Sequence, residues 1–466
     1  MPPPPPLPVA GCKLDWPHPS GSGDALLLAQ AAQQAAGRLL VVLTAQAQDA
    51  QRLLEEMPWF APDLQVRLLP DWETLPYDSF SPHQDLISER LATLWAVRQG
   101  QCQVLLAPAV MAACRLAPPA FLAAYTFHFV KGDRLDAAAF RAQVTLAGYT
   151  HVTQVVSPGE YSVRGSLIDL FPMGSPLPYR IDLFDDEIDS IRAFDAESQR
   201  TLYPVAEIRL LPAREFPMDD KGRTCFRQKF REVFEGDPAR ARVYKDISAG
   251  IATAGIEYYL PLFFEETATL FDYLPENALL ALHGNVPAAL ADFWRDTRSR
   301  YQMLSGDKTR PLLEPQALFL PEDAFFLAAQ THGRLQIAAP DSRTEAGGET
   351  PPLFPVAVDR RAEDPICALK HFVAEFPGRV LLLAESAGRR ETLAQMFASH
   401  GLKPALCAAA DEAEAKNNAE HAAATHEKSA KAPATSLARF LAGEEKLALG
   451  VAPLHAGVWL REGLPP

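Results

Sequence analysis

The stretch "PSGSGDALLLAQAAQ", residues 19–33, has the layout of chemistry on phosphates. A glycine-rich turn runs into an Ala/Leu-rich segment with helical texture, and the apolar run "RLLVVLTA" that follows reads as a buried strand. A phosphate-binding loop works through backbone N–H groups freed by glycine, a Lys that reaches the β- and γ-phosphates, and a Ser or Thr hydroxyl on Mg²⁺. Gly21 and Gly23 are present, but Asp24 stands at the Lys position and Ala25 at the hydroxyl position. Asp24 sets negative charge against phosphate, and a helix N-terminus offers only about half a charge in compensation. The plainer reading is a helix start capped by Ser22 or Asp24; beside it stand a degenerate nucleotide loop that keeps weak anion affinity and a working nucleotide site.

A second chemistry-bearing stretch is "GEYSVRGSLIDLFPMGSPLPYRIDLFDDEIDSIRAFD", residues 159–195. With "YRIDLF" as a strand, its period of two puts Tyr179, Ile181 and Leu183 on one face and Arg180, Asp182 and Phe184 on the other. An aromatic ring beside an Arg on a polar face is the composition of an interface hot spot. Arg164, taken as the start of the preceding strand, joins that face if the two strands pair as a hairpin. The competing reading tucks Phe184 under the hairpin turn and pairs Arg180 with Asp182. The acidic cluster Asp185, Asp186, Glu187 and Asp189 lacks calcium-loop spacing and reads as a solvated turn.

These segments need elements to hold them. A length of 466 residues predicts about three domains, and 48% hydrophobic residues suffice for several cores. From 20 to 124, strand and helix patterns alternate, which predicts a parallel sheet with helices on its faces. From 125 to 213 the runs become short and alternating, behind one helix, "DAAAFRAQVTLAGY", as in a small inserted α+β domain. Helical texture returns over 214–338 and completes the first domain. A linker is expected at 339–360 and a separate small α/β domain at 361–466, interrupted by a low-complexity excursion at 408–436. Residues 1–19 read as a Pro-rich lead with extended polyproline character.

Composition narrows the partners. A net charge of −14 argues against autonomous binding to nucleic acid. The six cysteines are scattered without a C-x-x-C pair, and the 11 histidines show no metal-ligand spacing. No apolar run is long enough for a membrane span and the N-terminus lacks a signal-peptide core, so a reducing cytoplasm is the expected location.

Four long segments in order resemble the N-terminal, UvrB-like half of the bacterial transcription-repair coupling factors (Mfd): "DWETLPYDSFSPHQDLISERLATL", residues 159–195 with the "AESQRT" that follows, "GIEYYLPLFFEE" and "LFDYLPEN". The resemblance implies a degenerate helicase-like α/β domain of parallel-sheet type, carrying an inserted UvrA-binding domain and followed by a further small α/β domain. It implies UvrA as partner, with Arg164, Arg180 and Phe184 at the positions that contact it. It also implies a second lost motif. Where UvrB has acidic residues after an apolar strand, this chain has His283, Gly284, Asn285 and Val286, so the groups that would hold Mg²⁺ and polarise a nucleophile are gone. No cofactor is then expected for this segment; ATP and Mg²⁺, like the contacts with RNA polymerase and double-stranded DNA, belong to the translocase part of longer relatives. The chain reads as stopping inside its last α/β domain, with its UvrA-binding face open. An active UvrB-like ATPase and a poorly folding fragment are the alternatives.

Overall fold

Leu40–Thr44 (β2) is a run of five buried residues, Leu-Val-Val-Leu-Thr, which suits a strand covered on both faces. In the computed structural model, which describes residues 6–16, 19–35, 37–337, 356–359, 361–407 and 436–459, β2 lies inside a six-stranded sheet. Its other strands are Lys13–Trp16 (β1), Val66–Leu68 (β3), Val104–Pro108 (β4), Leu279–His283 (β13) and Gly333–Ile337 (β14). The spatial order is β1-β14-β13-β2-β4-β3, and every neighbouring pair is parallel. Alternation along β2 sends Leu40 and Val42 into one core and Val41 and Leu43 into another. Helices Gly23–Gln34 (α1) and Ala47–Phe60 (α2) pack on the first core, and Gln84–Arg98 (α3) packs on the second.

The sheet draws its strands from both ends of the first 337 residues. β13 pairs with β2 across more than two hundred residues of intervening chain. The Pro-rich lead is corrected in part: β1 lies within it and forms an edge strand on β14, with Trp16 buried against Leu28 and Leu335 of the first core.

Between these halves sits a second sheet, in the order β11-β10-β9-β8-β7-β6. It comprises Thr150–His151 (β6), Glu160–Arg164 (β7), Leu167–Leu170 (β8), Tyr179–Phe184 (β9), Glu187–Phe194 (β10) and Thr201–Val205 (β11). From β7 to β11 it is an antiparallel meander. Its inner face, with Ile168, Leu170, Ile181, Leu183 and Ile191, packs with Phe140 and Val144 of the helix Ala137–Leu146. The entering strand Phe127–Val130 (β5) pairs antiparallel with the leaving strand Glu207–Leu210 (β12), which closes the neck. Below the neck, Arg90 of α3 is wholly buried. It donates from Nε to Glu215 Oε1 at 3.0 Å and from Nη1 to the Pro70 carbonyl at 3.0 Å.

The long loop before α3 is fixed by a third core. Tyr77 donates to the Leu313 carbonyl at 2.9 Å, and Arg300 reaches Asp78 Oδ1 at 2.6 Å. Ser81 donates to Glu257 Oε2 at 2.8 Å. Burial pushes the Glu257 carboxyl up to about 7.

The last unit is a three-stranded parallel sheet of Val380–Ala384 (β15), Ala405–Leu406 (β16) and Leu447–Val451 (β17), in the order β15-β17-β16. The helices Cys367–Glu375 and Ala387–Ser399 accompany it. Most of the expected linker and nearly all of the expected excursion lie outside the described residues; the helix Ser436–Ala442 begins at the excursion's last position.

Candidate functional site

On the inserted sheet, the outer face is organised by one buried carboxylate. The ladders place Ser162, Asp169, Arg180 and Arg192 in one row across β7 to β10. Asp169, 1% exposed, takes hydrogen bonds from both predicted arginines. Arg180 donates from Nε to Oδ1 at 2.7 Å and from Nη2 to Oδ2 at 3.0 Å. Arg164 donates from Nη2 to Oδ2 at 2.5 Å. The two-pronged bond to Asp169 pushes the Arg180 pKa above its ordinary value, against the opposing effect of burial. The Arg180 guanidinium also lies over the Phe194 ring, 4.8 Å from its centroid. Two guanidinium groups thus share one carboxylate, and the trio carries a surplus positive charge.

Phe184 ends β9 and is 76% exposed, the most exposed aromatic ring among the described residues. Its placement is firm. Phe184 pairs with Glu187 in the β9–β10 hairpin, whose turn uses Asp185 in the left-handed region at φ 55°. Leu135 N–H donates to the Asp186 carbonyl at 2.7 Å, which ties the tip to the neighbouring loop. The competing reading of this face is overturned. Phe184 does not tuck under the turn, and Arg180 pairs with Asp169, which reaches it from the adjacent strand. One detail of the favoured reading changes as well: Arg164 ends β7, and β8 stands between it and β9. The acids of the hairpin do not converge, and among the described residues no group of three His, Cys, Asp or Glu side chains is placed to hold a metal ion.

The two segments read from the sequence as degenerate motifs meet in space. Asp24 opens α1, His283 ends β13, and His283 Nε2 lies 2.7 Å from Asp24 Oδ2. Arg52 of α2 donates to both Asp24 oxygens, at 3.0 and 2.5 Å, and to Glu56 Oε2 at 2.8 Å. Burial alone would raise the Asp24 carboxyl, but the bonds to His283 and Arg52 outweigh it and hold it far below the usual carboxylate range. Asp24 and Glu56 are both inaccessible to solvent. Asp24 of α1 and Glu56 of α2 thus flank the Arg52 guanidinium beside the turn of residues 20–23.

Neither side chain caps the helix as the plainer reading had it. Ser22 occupies the cap position, yet its hydroxyl goes to Glu56 Oε1 at 2.9 Å, and the helix N–H that Asp24 accepts is its own neighbour's, Ala25 N–H, at 2.7 Å, not one further along the first turn. The glycines have local reasons to be there. Gly21 sits at φ +60°, and a Cβ on Gly23 would come within 2.9 Å of Pro19 Cβ. In the second motif, Gly284 turns at φ +77°, Asn285 caps the helix Val286–Leu304 by accepting Ala288 N–H at 3.1 Å, and Val286 is buried. The residues that sequence reasoning missed are Asp169, Arg52 and Glu56. Asp169 left a signal as a lone acid between Ile168 and Leu170, and Arg52 and Glu56 left one as an i,i+4 pair on α2.

Two family models match the chain: the UvrB interaction domain over residues 127–216 and the MFD D3 domain over residues 372–438. Proteins named transcription-repair-coupling factor are similar over most of it. That of Escherichia coli is 43% identical over 398 residues, 84% of this chain and 34% of the relative. That of Haemophilus influenzae is 42% identical over 387 residues, 82% of this chain and 33% of the relative. That of Myxococcus xanthus is 35% identical over 215 residues, 45% of this chain. The chain spans about a third of the length of the two nearest of these three relatives. With the first family model covering the sheet that carries Arg164, Arg180 and Phe184, and the second covering most of the last unit, the chain belongs to the transcription-repair-coupling factors over the part of those proteins that it spans.

Proposed function

We propose that this chain is a docking module that recruits UvrA, and with it the excision machinery, through the outer face of the inserted sheet. The observation that carries the reading is the Arg164–Asp169–Arg180 trio beside an exposed, anchored Phe184. A buried acid that holds two arginines in fixed poses lowers the ordering cost of binding. A surplus guanidinium charge beside an open aromatic ring suits a partner that offers carboxylate or carbonyl acceptors next to an apolar pocket. The parallel-sheet unit is then a degenerate helicase-like scaffold, and the module works in the cytoplasm. Among the described residues no helix is long and apolar enough to cross a membrane. In the longer proteins of the family, coupling to stalled RNA polymerase and ATP-driven movement on double-stranded DNA would fall to parts outside these residues.

The same reading gives this segment no nucleotide chemistry. Phosphoryl transfer runs on positioning and positive charge, and the residues present do not fit a magnesium nucleotide: Asp24, Glu56 and His283 fill the place with acids and a ring. Two measurements test the proposal. Co-elution of the chain with purified UvrA is expected, and Phe184→Ala is expected to abolish it while leaving the melting curve unchanged. A fluorescent ATP analogue is expected not to bind at micromolar concentration. Failure of a folded chain to co-elute would contradict the docking role; saturable, Gly23-dependent nucleotide binding would revive the ATPase reading.

A further inference from the structure

The degenerate loop has a guest, and it comes from the far end of the same chain. After β17, Ala452 N–H donates to the Ala384 carbonyl of β15 at 3.0 Å, and the backbone then turns back to α1 and α2, some four hundred residues earlier in sequence. There His455 N–H donates to Glu56 Oε1 at 2.9 Å, and Ala456 N–H donates to Ser22 Oγ at 3.2 Å. Ser22 N–H in turn donates to the Gly457 carbonyl at 3.3 Å. Ser22 Oγ–H donates to the same Glu56 oxygen, which closes the set into a connected network. Two residues beyond, the Trp459 ring lies 5.3 Å from that of Phe376.

We infer that the emptied phosphate loop is a receptor for the backbone of residues 455–457, and that it clasps the last α/β unit to the parallel-sheet unit. The chemistry of the loop has been reversed. A working loop presents N–H donors to an anionic guest. Here α2 sets an anion, Glu56, beside the loop, and the guest supplies two N–H donors, one to Glu56 and one to the Ser22 hydroxyl, while the one loop N–H in play, that of Ser22, is given to a carbonyl. Glu56 is fully buried and gives its other oxygen to Arg52, so its charge is paired before the guest arrives. A buried acceptor left open costs more than a hydrogen bond made, which favours the closed clasp. The role is independent of UvrA binding, since no residue of the clasp lies on the inserted sheet.

Amide hydrogen exchange on the whole chain tests this. In the unaltered chain, the His455 and Ala456 amides are expected to exchange roughly tenfold or more slowly than an unprotected turn. Ser22→Ala removes one donor and one acceptor from the network, and is expected to raise exchange at 455 and 456 about tenfold while β15 and β17 keep their protection. If Ser22→Ala unfolds α1, Ala456→Pro deletes the same bond from the opposite side, and there the exchange of the Ser22 amide is read. Fast exchange at 455 and 456 in the unaltered chain, or exchange that neither substitution changes, would overturn the clasp.

Discussion

Asp169 is the residue on which the proposed docking face turns. It is almost wholly buried and holds two arginines. Asp169→Asn is therefore expected to weaken UvrA binding without removing any group that touches UvrA. The amide cannot serve two guanidinium groups, and Arg164 and Arg180 then repel each other. Hydrogen bonds to charged groups contribute about 1.5–3 kcal/mol, so the insert is expected to lose about 2 kcal/mol, read by urea denaturation, alongside a reduced affinity read by titration. Unchanged affinity in a folded Asp169→Asn variant would show that the arginines need no preorganisation. This face was half legible in the sequence. Period-two reading placed Arg180 and Phe184 outward because their strand neighbours Ile181 and Leu183 are plainly apolar. Asp169 was not legible as the organiser, since an isolated acid in a strand says nothing of which cations lie across the ladder.

At the scale of elements, α1 and α2 are joined by charge as well as by apolar packing. Arg52 sits between two carboxylates that water cannot reach; burial would lower its pKa, but the hydrogen bond to Asp24 and the charges of Asp24 and Glu56 push it above the ordinary value. Breaking a buried ion pair by removing one partner costs about 3–5 kcal/mol, because the other charge is left uncompensated. Arg52→Met is expected to destabilise the parallel-sheet unit by about that amount, measured as a drop in urea midpoint with an unchanged slope. A loss near zero would show that α1 and α2 do not depend on the Arg52 charge. The alternation of β2, α2, β3, α3 and β4 was readable because short apolar runs such as β2 and β4 stand between longer mixed segments of helical composition. The strand at Lys13–Trp16 was not, because four residues behind a proline tract carry too short a pattern, and its pairing partner β14 lies some three hundred residues on. The meeting of Asp24 with His283 was equally hidden: sequence marks each as a lost motif, and only the sheet order brings them together.

At the scale of the molecule, buried acids of opposite tendency set the pH response. Burial raises the Glu257 carboxyl from 4.5 to about 7, so the fold holds a proton where the unfolded chain has released it. Its contribution to stability is full below the unfolded value and is lost as pH rises through about 7. Asp24 acts the other way: its carboxyl is depressed in the fold, so its contribution is present above the unfolded value of 3.8 and is lost as pH falls below it. Stability is therefore expected to be greatest in mildly acidic solution. Glu257→Gln, which keeps the acceptor for Ser81 without the charge, is expected to flatten the decline above pH 5 by an amount on the order of 3 kcal/mol. Thermal melts of the two proteins from pH 5 to pH 9 check this, and parallel curves would remove Glu257 from the account.

The central claim is that a face of three side chains on the inserted sheet makes this chain a recruiter of UvrA. Calorimetric titration of the purified chain with UvrA, beside Phe184→Ala and Arg180→Ala, tests it most directly. A saturable heat with micromolar or tighter affinity is expected, reduced about thirtyfold or more by either substitution, which corresponds to a hot-spot loss of about 2 kcal/mol. Absence of binding in the folded chain, or equal affinity in all three proteins, would contradict it.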